Sequence, residues 1–245
     1  MDIKGKIALV TGASSGIGEA ISVHLAQKGA WVVLTARRTS RLKEITERIN
    51  ASGGTAMYHS MDVTSMESVK TCTISVEEQW GEIDILVNNA GVMLMSMADQ
   101  MKYDDWMQMI DVNIKGPINC LYAILPGMLE KKAGHVINIS STAGKKLFPG
   151  GAFYCMTKYA LRALNEGLRM ELNKDHHIRI TSIEPGLVKT EFPQRMTDEV
   201  MKKSFEEAFK LDILEPYDIA EAVSFALEQA ERVNMTEIMV EPTYR

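Results

Sequence analysis

The 245-residue sequence lacks several features that would assign it to other classes of protein. No segment approaches eighteen consecutive apolar residues, so we expect no membrane-spanning helix. The 27 basic residues are scattered among 32 acidic ones, and the resulting net charge of -5 argues against a dedicated nucleic-acid surface. The N-terminal stretch has no long apolar run after its charged start, so we expect a first strand there rather than a signal peptide.

Cysteine and histidine are also scarce. The three cysteines, Cys72, Cys120 and Cys155, are widely spaced and odd in number, so we expect reduced thiols in a cytoplasmic protein. The five histidines form no metal-binding motif, and no metal site is predicted. The composition that remains, 46% hydrophobic and 24% charged, is ordinary for a globular protein and favours a single domain over residues 1–245.

Short β-branched runs alternate with longer amphipathic stretches along the chain. The first kind predicts strands, at Lys6–Thr11, Trp31–Thr35, Thr55–His59, Asp84–Asn88, His135–Ser140, Arg179–Glu184 and Glu237–Val240. The second kind predicts helices, including a long one over Tyr103–Leu129 and another over Phe153–Asn173. This β-α-β-α order predicts an α/β fold, with a parallel sheet and helices on both of its faces.

A glycine-rich segment, TGASSGIG, joins the first predicted strand to the first predicted helix. A pyrophosphate needs backbone N–H groups pointed at it, and side chains would block its approach. The start of the helix adds unsatisfied N–H groups and the positive end of a dipole. A tight turn without a ligand is the alternative, but the strand–loop–helix context favours a phosphate loop. Its predicted contacts are Gly12, Ser14, Ser15, Gly16, Ile17 and Gly18.

The end of the second predicted strand distinguishes NAD from NADP. An NAD site usually places an acid there to bind the ribose 2′-hydroxyl. Here Ala36 stands in that place and Arg37 and Arg38 follow, and a guanidinium suits a phosphate through paired hydrogen bonds. We therefore predict NADP(H) as the cofactor. The alternative is that Arg38 and Arg41 merely face water at the start of the next helix.

Asp62, followed by Val63, comes directly after the third predicted strand. We expect Asp62 to contact the edge of the adenine and Val63 to belong to the cofactor site. The alternative for Asp62 is a capping role at the helix that starts near Ser65.

A tyrosine and a lysine one helical turn apart point to acid–base chemistry. Tyr154 and Lys158 stand at positions i and i+4, so both side chains can face one ligand, although such a pair is also typical of a surface helix. An ammonium about 4 Å away would lower the pKa of a phenol from about 10 by about three units, enough for catalysis at neutral pH. Ser141 ends the preceding strand and can hold the substrate oxygen, with Ser140 as the alternative.

These segments resemble the short-chain dehydrogenase/reductase family along nearly the whole chain. The similarity rests on motifs in a fixed order, namely Thr11–Gly18, Asn88-Asn89-Ala90-Gly91, Asp111-Val112-Asn113, Ser140-Ser141, Tyr154 with Lys158, and Pro185-Gly186. The resemblance implies a doubly wound Rossmann domain with a seven-stranded parallel sheet. It also implies an oxidoreductase that transfers a hydride between a nicotinamide and a carbonyl or secondary alcohol.

The resemblance implies roles for further residues. Asn113 would join Ser141, Tyr154 and Lys158 in a proton relay through water, and Lys158 would also bind the nicotinamide ribose. The cofactor would be lined further by Asn89, Ala90, Gly91, Pro185, Gly186, Val188 and Thr190. The alternative for Asn113 is a kink, or a backbone partner, inside the long predicted helix.

Within the family, several segments look most like the branch that contains clavulanate dehydrogenase. They are Gly91–Leu94, Asp105-Trp106, Met109–Asp111 and Glu237–Thr243. Many members have a glycine-rich segment after the last helix, where this chain reads Asn234-Met235-Thr236-Glu237-Ile238. That departure argues against an acyl-carrier-protein reductase.

Residues 187–214 form an insertion before the last predicted helix, over the carboxyl edge of the sheet, and this position predicts a substrate lid. The candidate pocket residues are mostly apolar and flexible, although each one alone is also typical of core packing. They are Met93, Met95, Phe148, Pro149, Leu187, Phe192 and Met196. This set predicts a bulky apolar carbonyl or alcohol substrate.

The two long predicted helices carry apolar faces wide enough to cover the sheet and to leave a second face for another subunit. The resemblance accordingly implies a homodimer or homotetramer. The leading hypothesis is a cytoplasmic NADP(H)-dependent oxidoreductase with no nucleic-acid or membrane partner. The alternative is a non-catalytic NADP-binding regulatory protein, against which the intact set of Asn113, Ser141, Tyr154 and Lys158 argues.

Overall fold

The computed structural model describes residues 2–243, so three residues of the predicted domain, Met1, Tyr244 and Arg245, lie outside the described range. Within that range a single sheet contains seven strands, β1 (Ile7–Thr11), β2 (Trp31–Ala36), β3 (Thr55–Ser60), β4 (Ile85–Asn88), β5 (Gly134–Ile139), β6 (Ile178–Pro185) and β7 (Glu237–Val240). All neighbouring strands are parallel, in the order β3-β2-β1-β4-β5-β6-β7. The winding reverses between β1 and β4, which is where ligands of such sheets bind.

Eight α-helices lie within the described range, and they cover both faces of the sheet. They are α1 (Gly16–Gln27), α2 (Thr39–Ala51), α3 (Met66–Trp80), α4 (Tyr103–Ile110), α5 (Gly116–Lys131), α6 (Ala152–His176), α7 (Glu199–Ala208) and α8 (Pro216–Glu228). One buried core joins the sheet to α1, α2 and α8, and a second joins it to α3, α4, α5 and α6. The predicted doubly wound α/β domain is confirmed.

The two cores follow from the alternation of side chains along each strand, because successive residues point to opposite faces. Leu9, Val33 and Leu86 are neighbours across β1, β2 and β4 and belong to the α3–α6 core. The next residues on β1 and β2, Val10 and Leu34, belong to the other core. Since both faces are covered, β1 and β4 at the centre of the sheet are apolar up to their last residues, Thr11 and Asn88.

The long helix predicted over Tyr103–Leu129 is wrong in one respect, because a π-helical segment, Asp111–Lys115, separates α4 from α5. Pro117 has no N–H to donate to the carbonyl of Asn113 four residues earlier, so the α-helical hydrogen bond that would close this turn is missing at the end of the π-helical segment. The other predicted elements end within three residues of their observed bounds. Ser65 caps α3, since its hydroxyl accepts a hydrogen bond from the Ser68 N–H.

Residues 187–214 leave the carboxyl end of β6, cross the edge of the sheet and return to α8. A bridge between Val188 and Leu214 closes the base of this excursion, which contains α7 and a short 3₁₀ turn at Pro193–Arg195. Within residues 2–243 no helix combines the length and hydropathy needed to span a bilayer.

Candidate active site

The glycine-rich loop is built by close packing between β1, α1 and the end of β4. Gly12 has φ +66°, and a Cβ there would lie 2.8 Å from the Ala90 Cα. A Cβ on Gly18 would lie 2.4 Å from Asn89 Nδ2 and 2.5 Å from the Gly12 carbonyl oxygen. Real Cβ contacts do not come this close, so both positions require glycine for packing, and Gly12, which lines the cleft, also for access of a ligand.

Asn89 and Thr11 tie this loop to the end of β4. Asn89 Nδ2 donates to the Thr11 carbonyl at 2.8 Å. The backbone N–H groups of Asn89 and Ala90 both donate to Thr11 Oγ1, at 3.0 and 2.9 Å. These bonds hold the loop open toward the switch point between β1 and β4.

The loop leaves donor groups and space for an anion. Ser15 is the N-cap residue of α1, yet its side chain makes no capping hydrogen bond. Gly16 has φ +58°, and a Cβ there would meet only Thr190, at 3.4 Å. This cradle fits the phosphates of a dinucleotide.

Arg38 lies directly beside the loop. Its Nε donates to Ser14 Oγ at 3.1 Å and its Nη2 to Ser15 Oγ at 2.6 Å, while Nη1 pairs with Glu191 at 2.9 Å. Arg37 is exposed and lines the same end of the cleft. The sequence left open whether Arg38 merely faces water, and the structure shows that the loop orients its side chain.

Asp62 and Val63 line the same end of the cleft. Asp62 Oδ1 accepts hydrogen bonds from the Thr64 backbone N–H at 3.0 Å and hydroxyl at 2.8 Å. Burial raises the pKa of Asp62, but these bonds and the charge of Arg37 outweigh it and leave the pKa below its ordinary value. Asp62 therefore shapes the turn before α3 while its carboxylate stays charged beside the cleft.

The cleft has two adjoining parts along the carboxyl edge of the sheet. The first, of about 520 Å³, is lined by most of the residues predicted to bind the adenosine and the phosphates, Gly12, Ser14, Ser15, Gly16, Ile17, Arg37, Arg38, Asp62, Val63, Asn89, Ala90, Gly91 and Thr190. The second, of about 260 Å³, is lined by Ser141, Tyr154, Lys158, Pro185, Gly186 and Val188. Of the predicted site residues, Gly18 and Asn113 lie behind the walls.

Tyr154 is 7% exposed at the start of α6, and its phenol is hydrogen-bonded to Ser141. Ser141 Oγ also accepts a hydrogen bond from the Ala143 N–H at 3.1 Å. Ser140 is buried, and its hydroxyl has no hydrogen-bond partner within the described residues. The contact with Tyr154 favours Ser141 over Ser140 as the hydroxyl that faces a reacting oxygen.

Lys158 lies one turn further along α6, with Nζ 5.8 Å from the centre of the Tyr154 ring and 3.0 Å from the Ile139 carbonyl, to which it donates. Burial lowers the pKa of Lys158 to about 8 and raises that of Tyr154 to about 12, and the Ser141 hydrogen bond only partly opposes the latter. In this structure the Lys158 cation therefore does not bring the pKa of the phenol below its ordinary value, contrary to the sequence-based expectation. Desolvation of the phenolate outweighs the nearby cation.

Asn113 is 2% exposed in the π-helical segment, and its amide is fully engaged. Oδ1 accepts from the Val92 N–H at 2.8 Å, and Nδ2 donates to the Val92 carbonyl at 2.9 Å and to Thr157 Oγ1 at 3.1 Å. Thr157 in turn donates to the Tyr154 carbonyl at 2.7 Å. These contacts match the alternative in which Asn113 is a hydrogen-bond partner of the backbone. They also link its side chain to the turn of α6 that carries Tyr154.

Apolar side chains form the outer wall beside Tyr154. Met93, Phe148, Leu187 and Phe192 line it as expected, whereas Met95 and Met196 are buried at 1% and 5% exposure and Pro149 lies outside the wall. Sequence reasoning missed Phe205 and Phe209, which also line it. Their i, i+4 spacing near α7 was the signal that could have found them. It also missed Glu241 in this wall, and Glu191, Arg195 and Thr197 at the cofactor end.

Fold and site together define an α/β oxidoreductase of the Rossmann type. The chain belongs to the short-chain dehydrogenase/reductase family, since the pattern described as short chain dehydrogenase matches residues 6–201. An oxidoreductase of Listeria innocua serovar 6a is 43% identical over 244 residues, which span 99% of this chain and 98% of the relative.

Two solved structures extend the comparison to cofactor complexes. Serine dehydrogenase, in a closed form complexed with NADP+, is 37% identical with a TM-score of 0.89, over 96% of this chain and 94% of that one. A short chain dehydrogenase/reductase from Burkholderia phymatum, in complex with NAD, is 25% identical with a TM-score of 0.90, over 98% of this chain and 90% of that one.

Proposed function

We propose that the protein is an NADP(H)-dependent oxidoreductase that interconverts a carbonyl and a secondary alcohol, with Tyr154 as the proton donor. The observation that carries this proposal is the convergence of Tyr154, Ser141 and Lys158 on one wall of a cleft whose other end holds the glycine-rich loop and Arg38. NADPH consumption with a panel of ketones and aldehydes tests it. A protein that binds NADPH without turnover would instead be the regulatory alternative.

The residues of the glycine-rich loop and Arg38 would hold NADPH, which would supply a hydride when bound. Ser141 holds the carbonyl oxygen beside the Tyr154 phenol, and the phenol donates its proton to that oxygen as negative charge develops on it. A pKa of about 12 keeps Tyr154 protonated at neutral pH, which suits an acid in the direction of reduction. Lys158, as a cation, stabilises the phenolate that remains and would hold the nicotinamide ribose. Asn113 would hold in place, through Thr157, the turn of α6 that carries Tyr154. Its part in a proton relay through water stays a prediction.

The preference for NADP(H) rests on Arg38, with Arg37 beside it. We expect Arg38→Ala to weaken NADPH binding by about 10- to 100-fold, the size of hydrogen bonds to a charged group, and to change NADH binding far less. Arg37→Ala should reduce the preference as well. Titration of both cofactors by fluorescence measures the ratio of the two Kd values. Arg41→Ala is the matched control, because Arg41 pairs with Glu44 outside the cleft wall. Wild-type ratios in both cleft variants would contradict the NADP assignment.

The lowered pKa of Lys158 implies an upper pH limit on carbonyl reduction. Its cation is disfavoured by burial, so it loses its proton above about pH 8 rather than above its ordinary value of 10.5. Tyr154 stays protonated over the same range. We therefore expect kcat/KM for carbonyl reduction to be level from pH 6 to nearly 8, and then to fall by up to about tenfold for each further unit. A steady-state profile measures this limb, and a rate that stays level to pH 10 would contradict the role of the Lys158 charge.

The substrate is proposed to be a bulky apolar carbonyl compound, with residues 187–214 as its lid. The support is an apolar wall to which the lid contributes Leu187, Phe192, Phe205 and Phe209, with Met93 and Phe148 beside them. A preference for small charged ketones in the panel would contradict it. The similarity to the clavulanate dehydrogenase branch and the cytoplasmic location stay predictions.

We also propose a homodimer or homotetramer formed through α5 and α6. Large apolar side chains remain exposed on both helices, with Tyr122 at 63% on α5 and Met170 at 71% on α6 as the extremes. Covering such groups is the usual reason for a contact between subunits. Light scattering tests the proposal, and a monomer would refute it.

A further inference from the structure

The Glu191 carboxylate lies at the adenosine end of the cleft, and no sequence motif pointed to this residue. Its Oε2 accepts hydrogen bonds from Arg38 Nη1 at 2.9 Å and from Arg195 Nη2 at 3.4 Å, and Ser15 also hydrogen-bonds the carboxylate. Partial burial would raise the pKa of Glu191, but the bonds from Arg38 and Ser15 outweigh it and lower the pKa. Glu191 is therefore an anion held by groups that suit a phosphate.

The position of Glu191 is fixed from both sides. It follows Thr190, which lines both parts of the cleft. A few residues further along the lid, the Thr197 hydroxyl accepts a hydrogen bond from Lys102 Nζ at 3.0 Å and donates one to Asp105. The segment between these points thus spans the cofactor groove, from the phosphate loop to the start of α4.

This arrangement places an acid at the adenosine end of the cleft, but on a segment other than the one that usually carries it. In NAD sites of this fold the acid stands at the end of the second strand, where this chain has Ala36. Glu191, which belongs to the lid, lines the same part of the cleft as Ala36 and pairs with Arg38. A ribose 2′-hydroxyl can donate to a carboxylate there, whereas a 2′-phosphate must share the Arg38 guanidinium with it and is repelled by its charge.

We propose that Glu191 sets the balance between phosphorylated and unphosphorylated adenosine ribose, by competing with a 2′-phosphate for Arg38 and by accepting a hydrogen bond from a 2′-hydroxyl. This inference rests on the proposed function, because it concerns the cofactor of the same cleft. It predicts a protein whose preference for NADP(H) is weaker than Arg37 and Arg38 alone would give.

The test uses nucleotide fragments, so that it does not depend on turnover. Adenosine 2′,5′-bisphosphate and ADP are titrated by calorimetry into the wild type, Glu191→Gln and Glu206→Gln. Glu206 is the matched control, since it is an exposed acid on α7 outside the cleft wall. We expect Glu191→Gln to bind the bisphosphate about fivefold more tightly and ADP no more tightly than the wild type. A change of about fivefold is the size expected when one exposed charge–charge contact is removed. The gain should shrink with added salt, because the Arg38 and Glu191 side chains are 40% and 39% exposed.

The outcomes separate the two proposals. A wild type that binds both nucleotides equally would contradict the NADP preference but not the role of Glu191, provided that the ratio still rises in Glu191→Gln. An unchanged ratio in Glu191→Gln would overturn the role of Glu191, whatever the wild-type ratio is. Weaker binding of the bisphosphate would overturn it too, since Glu191 would then be orienting Arg38 for the phosphate.

Discussion

Replacing Tyr154 by phenylalanine is expected to lower kcat for carbonyl reduction by about 10²- to 10⁴-fold, the usual contribution of a positioned general acid. The substitution removes only the hydroxyl from a side chain that is 7% exposed, so the packing of the ring at the start of α6 is retained. The hydroxyl is the group that contacts Ser141 and faces the cleft. NADPH binding and the melting temperature should therefore change little, while turnover is lost.

Tyr159 offers a matched control for this experiment. It lies on the same helix, five residues further along, and is 38% exposed outside the cleft wall. Tyr159→Phe removes the same hydroxyl and should leave kcat within about twofold of wild type, as expected for a surface change. If Tyr154→Phe kept wild-type turnover, the proton would come from another group and the proposed mechanism would be wrong.

The fold was predictable because its determinants are local and repeated. Uninterrupted apolar strands between amphipathic helices indicate a parallel sheet covered on both faces, and β1, β2 and β4 supply alternate residues to the two cores. Pro117 was the readable sign that the helix over Tyr103–Leu129 could not be regular, and it was overlooked. The predicted helix ends differ from the observed ones by up to three residues, because few hydrogen bonds define the last turn of a helix.

The sequence could predict which residues lie together in the candidate site, but not how burial shifts their pKa values. Motifs showed that Tyr154, Ser141 and Lys158 belong together, yet only the structure shows that burial pushes the pKa of the phenol upward. Spacing along a helix gives no information on desolvation, which depends on the whole wall of the cleft. Glu191 was missed for a similar reason, because its contact with Arg38 joins residues 153 positions apart that no local pattern connects.

Gly18→Ala is expected to have the second large effect, on folding and cofactor binding together. The added Cβ would meet Asn89 Nδ2 at 2.4 Å and the Gly12 carbonyl at 2.5 Å, and the second of these is backbone that cannot rotate away. Relief requires the bond from Asn89 to the Thr11 carbonyl to break, which loosens the phosphate loop. Overpacking of this kind costs about 1–3 kcal/mol, or a fall of about 2–12 °C in melting temperature for a chain of this size. NADPH binding should weaken by more than about tenfold, because the loop that cradles the phosphates is displaced.

Gly167→Ala is the matched control, because the same chemical change is expected to raise the melting temperature rather than lower it. Gly167 lies within α6, and a Cβ there would meet nothing within 4 Å. Alanine is the better helix former by about 1 kcal/mol, so this variant should melt at a higher temperature than wild type and bind NADPH normally. Thermal unfolding and cofactor titration of the two variants in parallel measure both effects. A Gly18→Ala protein that matched Gly167→Ala in both melting temperature and NADPH affinity would contradict this prediction, because the loop would then accommodate the added Cβ at this contact.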